Sequence, residues 1–118
     1  MRLSLHPQVL TKRADFMRAS SALRASTPGF TLQARPRAEG EAEGVRVGFT
    51  CSKKVGNAVA RNRAKRRLRE VARSILTSEG RAGWDYVLIG RPQVTAALPF
   101  AQLLSDLSRA LARVHRAP

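Results

Sequence analysis

Nine of the chain's 22 lysines and arginines lie within one stretch of the sequence, from Ser52 to Arg73. A single acidic residue, Glu70, interrupts this basic stretch. Lysine and arginine side chains displace the counterions that condense along a phosphate backbone, so such a density is typical of polyanion-binding proteins. The nine cations are Lys53, Lys54, Arg61, Arg63, Lys65, Arg66, Arg67, Arg69 and Arg73.

The spacing within the basic stretch predicts a helix with two different sides, and Asn57 suits its N-cap position. At about 100° per residue, one side is apolar and the other polar. The apolar side consists of Ala64, Leu68, Val71, Ala72 and Ile75, with Arg61 and Lys65 near it. The polar side consists of Asn62, Arg63, Arg66, Arg69 and Arg73. Such a cationic row repels itself, so we favour a bound polyanion over a merely solvated face.

The composition predicts one folded domain, spanning residues 1–118, with a strongly basic surface. Of the 118 residues, 43% are hydrophobic, and the formal net charge is +14. A membrane surface is the competing polyanion, but the sequence has no run of about 20 apolar residues that could span a bilayer. We expect a cytoplasmic protein, because the N-terminal residues lack a continuous apolar stretch and the chain has a single cysteine.

The hydrophobic patterns predict an α+β domain in the order helix, strand, strand, helix, strand, helix. Apolar residues alternate over 30–35 and 45–51, which indicates two strands that we expect to pair antiparallel. The polar segment 36–44 between them predicts an exposed hairpin loop. A third strand follows at 84–91, and a final leucine-rich helix after Pro99 is expected to cover the sheet.

A short helix is also predicted over 11–19, after a flexible N-terminus at 1–9, with Thr11 as the N-cap. Leu10, Ala14 and Met17 share one side of this helix at spacings of four and three residues. Phe16 lies off that stripe. From the residues alone we interpret Phe16 as a second core contact.

Little in the sequence could supply catalysis. A hydrolase or nuclease needs placed carboxylates, a metal cluster or an activated nucleophile. Only Glu39, Glu41 and Glu43 cluster, and a mobile loop is a poor scaffold for a preorganised site. The two histidines lie near opposite ends of the chain, and the single cysteine has no zinc-ligand spacing. We interpret the protein as one that binds and positions, with no catalytic group of its own.

The basic stretch and its surroundings resemble the protein subunit of bacterial ribonuclease P. The run SKKVGNAVARNRAKRRLREVAR is similar to the family's signature, with its Arg-Asn-Arg motif at Arg61, Asn62 and Arg63. KRADF at 12–16 is similar to the family's opening helix, and VGFTCSKK to the strand entering the motif. WDYVLIGR followed by a leucine-rich helix is similar to its C-terminal half. After Met17, Arg18-Ala19-Ser20-Ser21 stands where the family often has an aromatic residue and a glycine.

The resemblance implies a protein that pairs with a large catalytic RNA, which removes the 5′ leader from precursor tRNA and holds the Mg²⁺ ions. The expected partners are this ribonuclease P RNA and precursor tRNA, with no membrane and a monomeric protein in a 1:1 complex. The family fold is an α/β sandwich, a single mixed sheet of three to four strands packed by helices. Its basic helix makes a left-handed βαβ crossover, against the general right-handed rule.

The resemblance also implies two groups of site residues. Contacts with the catalytic RNA are expected from Lys53, Lys54, Asn57, Arg61, Asn62, Arg63, Lys65, Arg66, Arg69 and Arg73. A cleft for the unpaired leader is expected to include Lys12, Arg13, Phe16 and Arg91. On this basis Phe16 becomes a leader-binding residue, because an exposed ring can stack on an unpaired base.

Two other functions fit parts of the sequence. A structural protein of the ribosomal type would share the charge and the fold style, and the leader cleft separates it from the first interpretation. A protein-only nuclease would need clustered carboxylates, and the distribution of acidic residues argues against it.

Overall fold

The computed structural model describes residues 7–38 and 44–116, which form a mixed β-sheet with helices on both faces. The elements are β1 (Gln8–Val9), α1 (Arg13–Ser20), β2 (Leu23–Ser26), β3 (Phe30–Pro36), β4 (Arg46–Thr50), a 3₁₀ turn (Lys53–Val55), α2 (Ala58–Glu79), β5 (Trp84–Gly90), α3 (Val94–Ala97) and α4 (Phe100–Arg116). The predicted α+β class is confirmed, with five strands where three to four were expected.

The five strands lie in the order β1-β4-β5-β3-β2, so β5 is the central strand. It pairs in parallel with β4 and antiparallel with β3. The predicted antiparallel pairing of 30–35 with 45–51 is therefore wrong, and the segment between them is not a hairpin loop. Four consecutive β5 residues are buried, Asp85 to Leu88, as expected for a strand covered on both faces. Residues 39–43 lie outside the described residues.

Helix α2 connects the parallel neighbours β4 and β5, which is the βαβ crossover that the resemblance implied. At 22 residues it is about 33 Å long. Its buried residues are Ala64, Leu68, Val71, Ala72 and Leu76. The apolar side predicted from the sequence is thus reproduced, except that Leu76 is buried and Ile75 is half-buried. The left hand of the crossover stays a prediction from the resemblance.

Two strands were not predicted, because both are short. Strand β1 pairs in parallel with β4 through only two residues, and it lies in the segment 1–9 that was expected to be flexible. Residues 1–6 of that segment lie outside the described residues. Strand β2 pairs antiparallel with β3 across a tight turn, in which the Thr27 hydroxyl donates to the Phe30 carbonyl at 2.7 Å.

The main core lies between one face of the sheet and the helices α2 and α4. The sheet contributes Phe30, Leu32 and Tyr86 among others, and α4 contributes a stripe of leucines. The buried α4 residues include Leu103, Leu107, Leu111 and Val114, as the spacing predicts, whereas Phe100 is exposed. None of the described helices is long and apolar enough to cross a membrane.

Helix α1 packs on the opposite face of the sheet, against β3 and β5. Its N-cap is Lys12 and no side chain caps it, so the expected cap at Thr11 is wrong. The buried residues are Asp15 and Ala19, whereas Ala14 and Met17 are exposed. The stripe prediction failed because Asp15 is buried as an ion-pair partner, at 3.1 Å from Arg18 and 3.5 Å from Arg46.

Candidate RNA-binding surfaces

The polar side of α2 forms an exposed row of cations, which we call the arginine row: Arg63, Arg66, Arg69 and Arg73, together with Asn62. All five side chains are exposed. Arg61 and Lys65 are half-buried, in keeping with their predicted position nearer the apolar side, where the aliphatic stems lie along the protein. The helix thus presents a continuous cationic surface along its length.

The arginine row is almost free of carboxylate partners. Among the described residues, Arg73 is its one member that pairs with an acid, the neighbouring Glu70, and both side chains are about half exposed. Arg69 lies over the ring of Phe49, with 5.7 Å between its guanidinium carbon and the ring centroid. The exposed ion pair between Arg73 and Glu70 contributes little stability. The other arginines of the row have no carboxylate partner among the described residues, so the surface stays strongly positive.

The start of α2 adds further exposed polar groups to this surface. The Asn57 side chain accepts a hydrogen bond from the backbone N–H of Ala60 at 2.9 Å, as expected for an N-cap. Lys53 and Lys54 lie in the preceding 3₁₀ turn and are exposed. Ser52 caps that turn by accepting from the Lys54 N–H at 3.2 Å. The residues that the sequence predicts to contact RNA, from Lys53 to Arg73, therefore all lie on α2 or on the turn that leads into it.

Arg67 belongs to the basic stretch but has a structural position. Its guanidinium group donates to three backbone carbonyls around α3: Thr95 at 3.3 Å, Ala96 at 2.6 Å and Leu98 at 2.7 Å. These bonds fix α2 to α3. The sequence carried a signal for this role, because position 67 lies three residues after Ala64 and four before Val71, on the apolar side.

A second surface lies on the opposite face of the sheet, in a groove of about 300 Å³ between α1 and the strands. We call it the α1 groove. Arg13, Phe16, Met17 and Ser20 line it from α1, and Gln33, Thr50, Val87 and Ile89 line it from the sheet. The sheet residues were not predicted, although Gln33 gave a signal as a polar residue within a buried strand.

Phe16 is half-buried in this groove, and its ring lies against the bare backbone of Gly48. A β-carbon at position 48 would approach the ring to 2.5 Å, so glycine leaves the space that the ring fills. Phe16 is therefore both a packing residue and a wall of the groove. The packing agrees with the core contact expected from the residues alone, and leader binding by Phe16 stays a prediction.

The other two residues predicted for the leader cleft lie outside the lining of the α1 groove. Lys12 is exposed at the start of α1. Arg91 follows β5 and donates to the Thr31 hydroxyl at 3.1 Å, on the α1 face of the sheet, but it lines a different cleft beside α2. The structure thus brings Arg13 and Phe16 together and separates them from Lys12 and Arg91.

A buried charge network lies at the other end of the α1 face, centred on Asp85. This carboxylate is fully buried and contacts three arginines, Arg35 at 3.8 Å, Arg46 at 2.8 Å and Arg37 at 2.5 Å. The network extends to Asp15 through Arg46. These arginines are held by acids of the fold, which distinguishes them from the arginine row.

The titratable side chains of the described residues include one buried thiol. Burial raises the pKa of the Cys51 thiol, which keeps it protonated and poorly nucleophilic at neutral pH. Across residues 7–38 and 44–116, no three His, Cys, Asp or Glu side chains form a group that could hold a metal ion.

Comparison with known proteins identifies the family of this chain. The family model described as Ribonuclease P matches residues 6–115. The chain belongs to the ribonuclease P protein family. The ribonuclease P protein component of Ruegeria pomeroyi is 65% identical over 107 residues, covering 91% of this chain and 86% of that protein. The component from Paramagnetospirillum magneticum is 50% identical over 108 residues, covering 89% and 80%.

Solved structures of the family share this fold. The RNase P protein of Staphylococcus aureus superposes with a TM-score of 0.69 at 29% identity, covering 90% of this chain and 95% of that one. The Thermotoga maritima protein gives a TM-score of 0.69 at 24% identity, covering 94% and 98%, and supports the fold alone. Members of this family are components of an endoribonuclease, so the chain is assigned to RNA processing.

Proposed function

We propose that this chain is the protein subunit of ribonuclease P, which binds the catalytic RNA and assists removal of the 5′ leader from precursor tRNA. The observation that carries the proposal is the arginine row on α2. Four exposed arginines share one helix face, and only one of them pairs with an acid among the described residues. Guanidinium groups suit phosphate oxygens because they donate in a planar fork.

The proposed role of this surface is electrostatic. A catalytic RNA and its tRNA substrate repel each other, and Mg²⁺ ions held by the RNA offset part of that repulsion. A protein with a net charge of +14 offsets more of it, so the holoenzyme needs less Mg²⁺ for the same substrate affinity. In this proposal the groups that activate water belong to the RNA, and the protein contributes none.

The α1 groove is the proposed site for the leader. An unpaired strand exposes its bases, and the half-buried ring of Phe16 offers a surface for stacking beside the cation of Arg13. Mature tRNA has no leader and forfeits these contacts. The groove would therefore favour binding of the precursor over binding of mature tRNA, by positioning the strand rather than by reading its sequence.

The experiment is a reconstitution with a bacterial ribonuclease P RNA at low Mg²⁺, in which 5′ processing of a precursor tRNA is measured with and without the protein. We expect marked stimulation by a 1:1 ratio of monomeric protein to RNA, with little effect at high Mg²⁺. Absence of stimulation would contradict the proposal. Cleavage by the protein without RNA would favour a protein-only nuclease instead.

A further inference from the structure

A second apolar concavity lies between the N-terminal half of α2 and α3, outside the α1 groove. This α2–α3 cleft has a volume of about 480 Å³, within the range of small-ligand sites. Val55, Val59, Ala60 and Ala64 form apolar walls from the start of α2 and the turn before it, and Ala96 closes the side of α3. The surface inside the cleft is therefore largely apolar, although the cleft opens beside α2, the most basic helix of the protein.

Val59 is the least expected residue of this cleft. Its exposed fraction is 73%, the highest among the large apolar side chains that the structure describes. It lies between Asn57 and Arg63, both of which are exposed. A valine at this position contributes nothing to phosphate binding and gains nothing from water. It does offer an apolar surface to a flat group that enters the cleft.

The rim of the cleft carries donors that the fold leaves largely uncommitted. Arg63 is exposed, and no described carboxylate pairs with it. The amide of Asn57 uses its oxygen for the N-cap, so its NH₂ group can donate outward. The Arg91 guanidinium is excluded from this rim, because it donates to the Thr31 hydroxyl on the α1 face of the sheet. One positive charge and an amide thus border an apolar floor.

The cleft is held open by contacts that do not line it. Arg67 ties α2 to the carbonyls of α3, and the buried Thr95 hydroxyl donates to the Gly29 carbonyl at 2.6 Å. The same hydroxyl accepts from the backbone N–H of Arg91 at 2.7 Å. These bonds fix both the far wall of the cleft and the backbone of Arg91 beside it. Little reorganisation would therefore accompany the entry of a ligand.

We propose that the α2–α3 cleft takes one unpaired nucleotide of the catalytic RNA, with its base against Val59 and its phosphate on Arg63. An apolar floor fits the face of a base, and a cationic rim with an amide donor fits the phosphate and the base edge. The catalytic RNA is favoured over the leader because Asn57 and Arg63 belong to the α2 surface. This inference rests on the proposed function.

The first test compares two valine substitutions in the reconstituted holoenzyme. Val59→Ser removes the apolar floor without a change of charge, so RNA affinity should fall by about five- to tenfold while the salt dependence is unchanged. Val59→Ile is the matched control, because it keeps an apolar side chain at the same position, where 73% of the valine is exposed. Equal affinities for the two variants would overturn the proposal.

The second test identifies the nucleotide. A photo-crosslinker attached to the thiol of Val59→Cys, in a protein that also carries Cys51→Ala, is activated in the holoenzyme bound to precursor tRNA. We expect crosslinks concentrated at one unpaired nucleotide of the catalytic RNA. Crosslinks to the leader would assign the cleft to the substrate, and crosslinks spread over helical RNA would exclude insertion. Wild-type protein that fails to stimulate cleavage would remove the proposed function itself.

Discussion

Arg66 and Arg67 are adjacent in the sequence and opposite in role. Arg66 is exposed on the arginine row, with no hydrogen bond or ion pair to any described residue. Arg67 is half-buried and donates to three carbonyls around α3. A helix turns by about 100° between neighbours, which is enough to place one side chain toward a partner RNA and the other against the protein.

This pair gives a prediction with an internal control. Arg66→Ala should weaken binding to the catalytic RNA and reduce the slope of log affinity against log salt by about one, with unchanged stability. Arg67→Ala should lower the free energy of unfolding by about 2–3 kcal/mol, because three carbonyls lose a charged donor. Salt titrations and urea denaturation of both variants measure the difference. An unchanged salt slope for Arg66→Ala would mean that this side chain contacts no phosphate.

The groove residue Phe16 can be tested without removing it. Gly48→Ala would place a β-carbon 2.5 Å from the present position of the ring and force the ring to move. We expect a several-fold loss of discrimination between precursor and mature tRNA, as for Phe16→Ala, whereas RNA affinity stays the same. Ala14→Ser, an exposed change on the same helix, is the control. Unaltered discrimination in both Phe16→Ala and Gly48→Ala would return Phe16 to the core.

At the scale of elements, β5 and α4 meet in a small polar cluster at their ends. The Tyr86 hydroxyl accepts from the Arg81 backbone N–H at 2.9 Å and lies 2.7 Å from Nε2 of His115. Burial raises the pKa of Tyr86 to about 12, so its hydroxyl keeps its proton. Burial, and then the nearby Arg81, lower the pKa of His115 from its usual 6.5. The neutral imidazole therefore suits the folded state.

The predicted consequence is a loss of stability in acid. Well above pH 6.5 His115 is neutral in both the folded and the unfolded state, so it does not change the free energy of unfolding. As the pH falls through 6.5 the unfolded chain binds a proton first, so the free energy of unfolding falls until the pH is below the lowered pKa of the folded state. Urea denaturation from pH 7.5 to 5 should show this decline, and His115→Gln should flatten it. An identical pH profile in the variant would assign the decline to other groups.

The elements differ in how far their sequences determined them. Helices α2 and α4 were predictable because their apolar stripes are long and regular. Strands β1 and β2 were not, because two and four residues carry too short a pattern. The stripe of α1 was misassigned because burial there follows an ion pair, that of Asp15 with Arg46, and ion pairs leave no periodic signal.

At the scale of the whole molecule, Asp85 joins segments that are distant in sequence. Its carboxylate contacts Arg35 on β3, Arg46 on β4 and Arg37 beyond β3, and none of its side chain is exposed. Asp85→Asn should lower the free energy of unfolding by about 3–5 kcal/mol, because buried guanidinium groups lose their counter-charge. Glu70→Gln, which breaks the exposed pair with Arg73, should cost at most about 1 kcal/mol. Similar losses for the two variants in thermal denaturation would contradict this view of the network.

The two candidate surfaces also differ in what the sequence could determine. The arginine row is contiguous, so helical spacing alone placed Arg63, Arg66, Arg69 and Arg73 together. The α1 groove joins residues from α1, β3, β4 and β5, and their proximity depends on the strand order. That order was mispredicted because nothing in 30–35 or 45–51 encodes that a later strand will separate them. The α2–α3 cleft was missed for another reason, because α3 is a helix of four residues that the sequence did not predict.

Because β5 is the central strand, the sheet cannot be completed during synthesis until β5 is available. β1 with β4, and β2 with β3, form two half-sheets that share no ladder until residues 84–90 arrive. Until residues 84–90 have left the ribosome, the basic helix that precedes them lacks its finished support. We therefore expect its cationic side chains to be most open to nonspecific RNA before the last third of the chain is released.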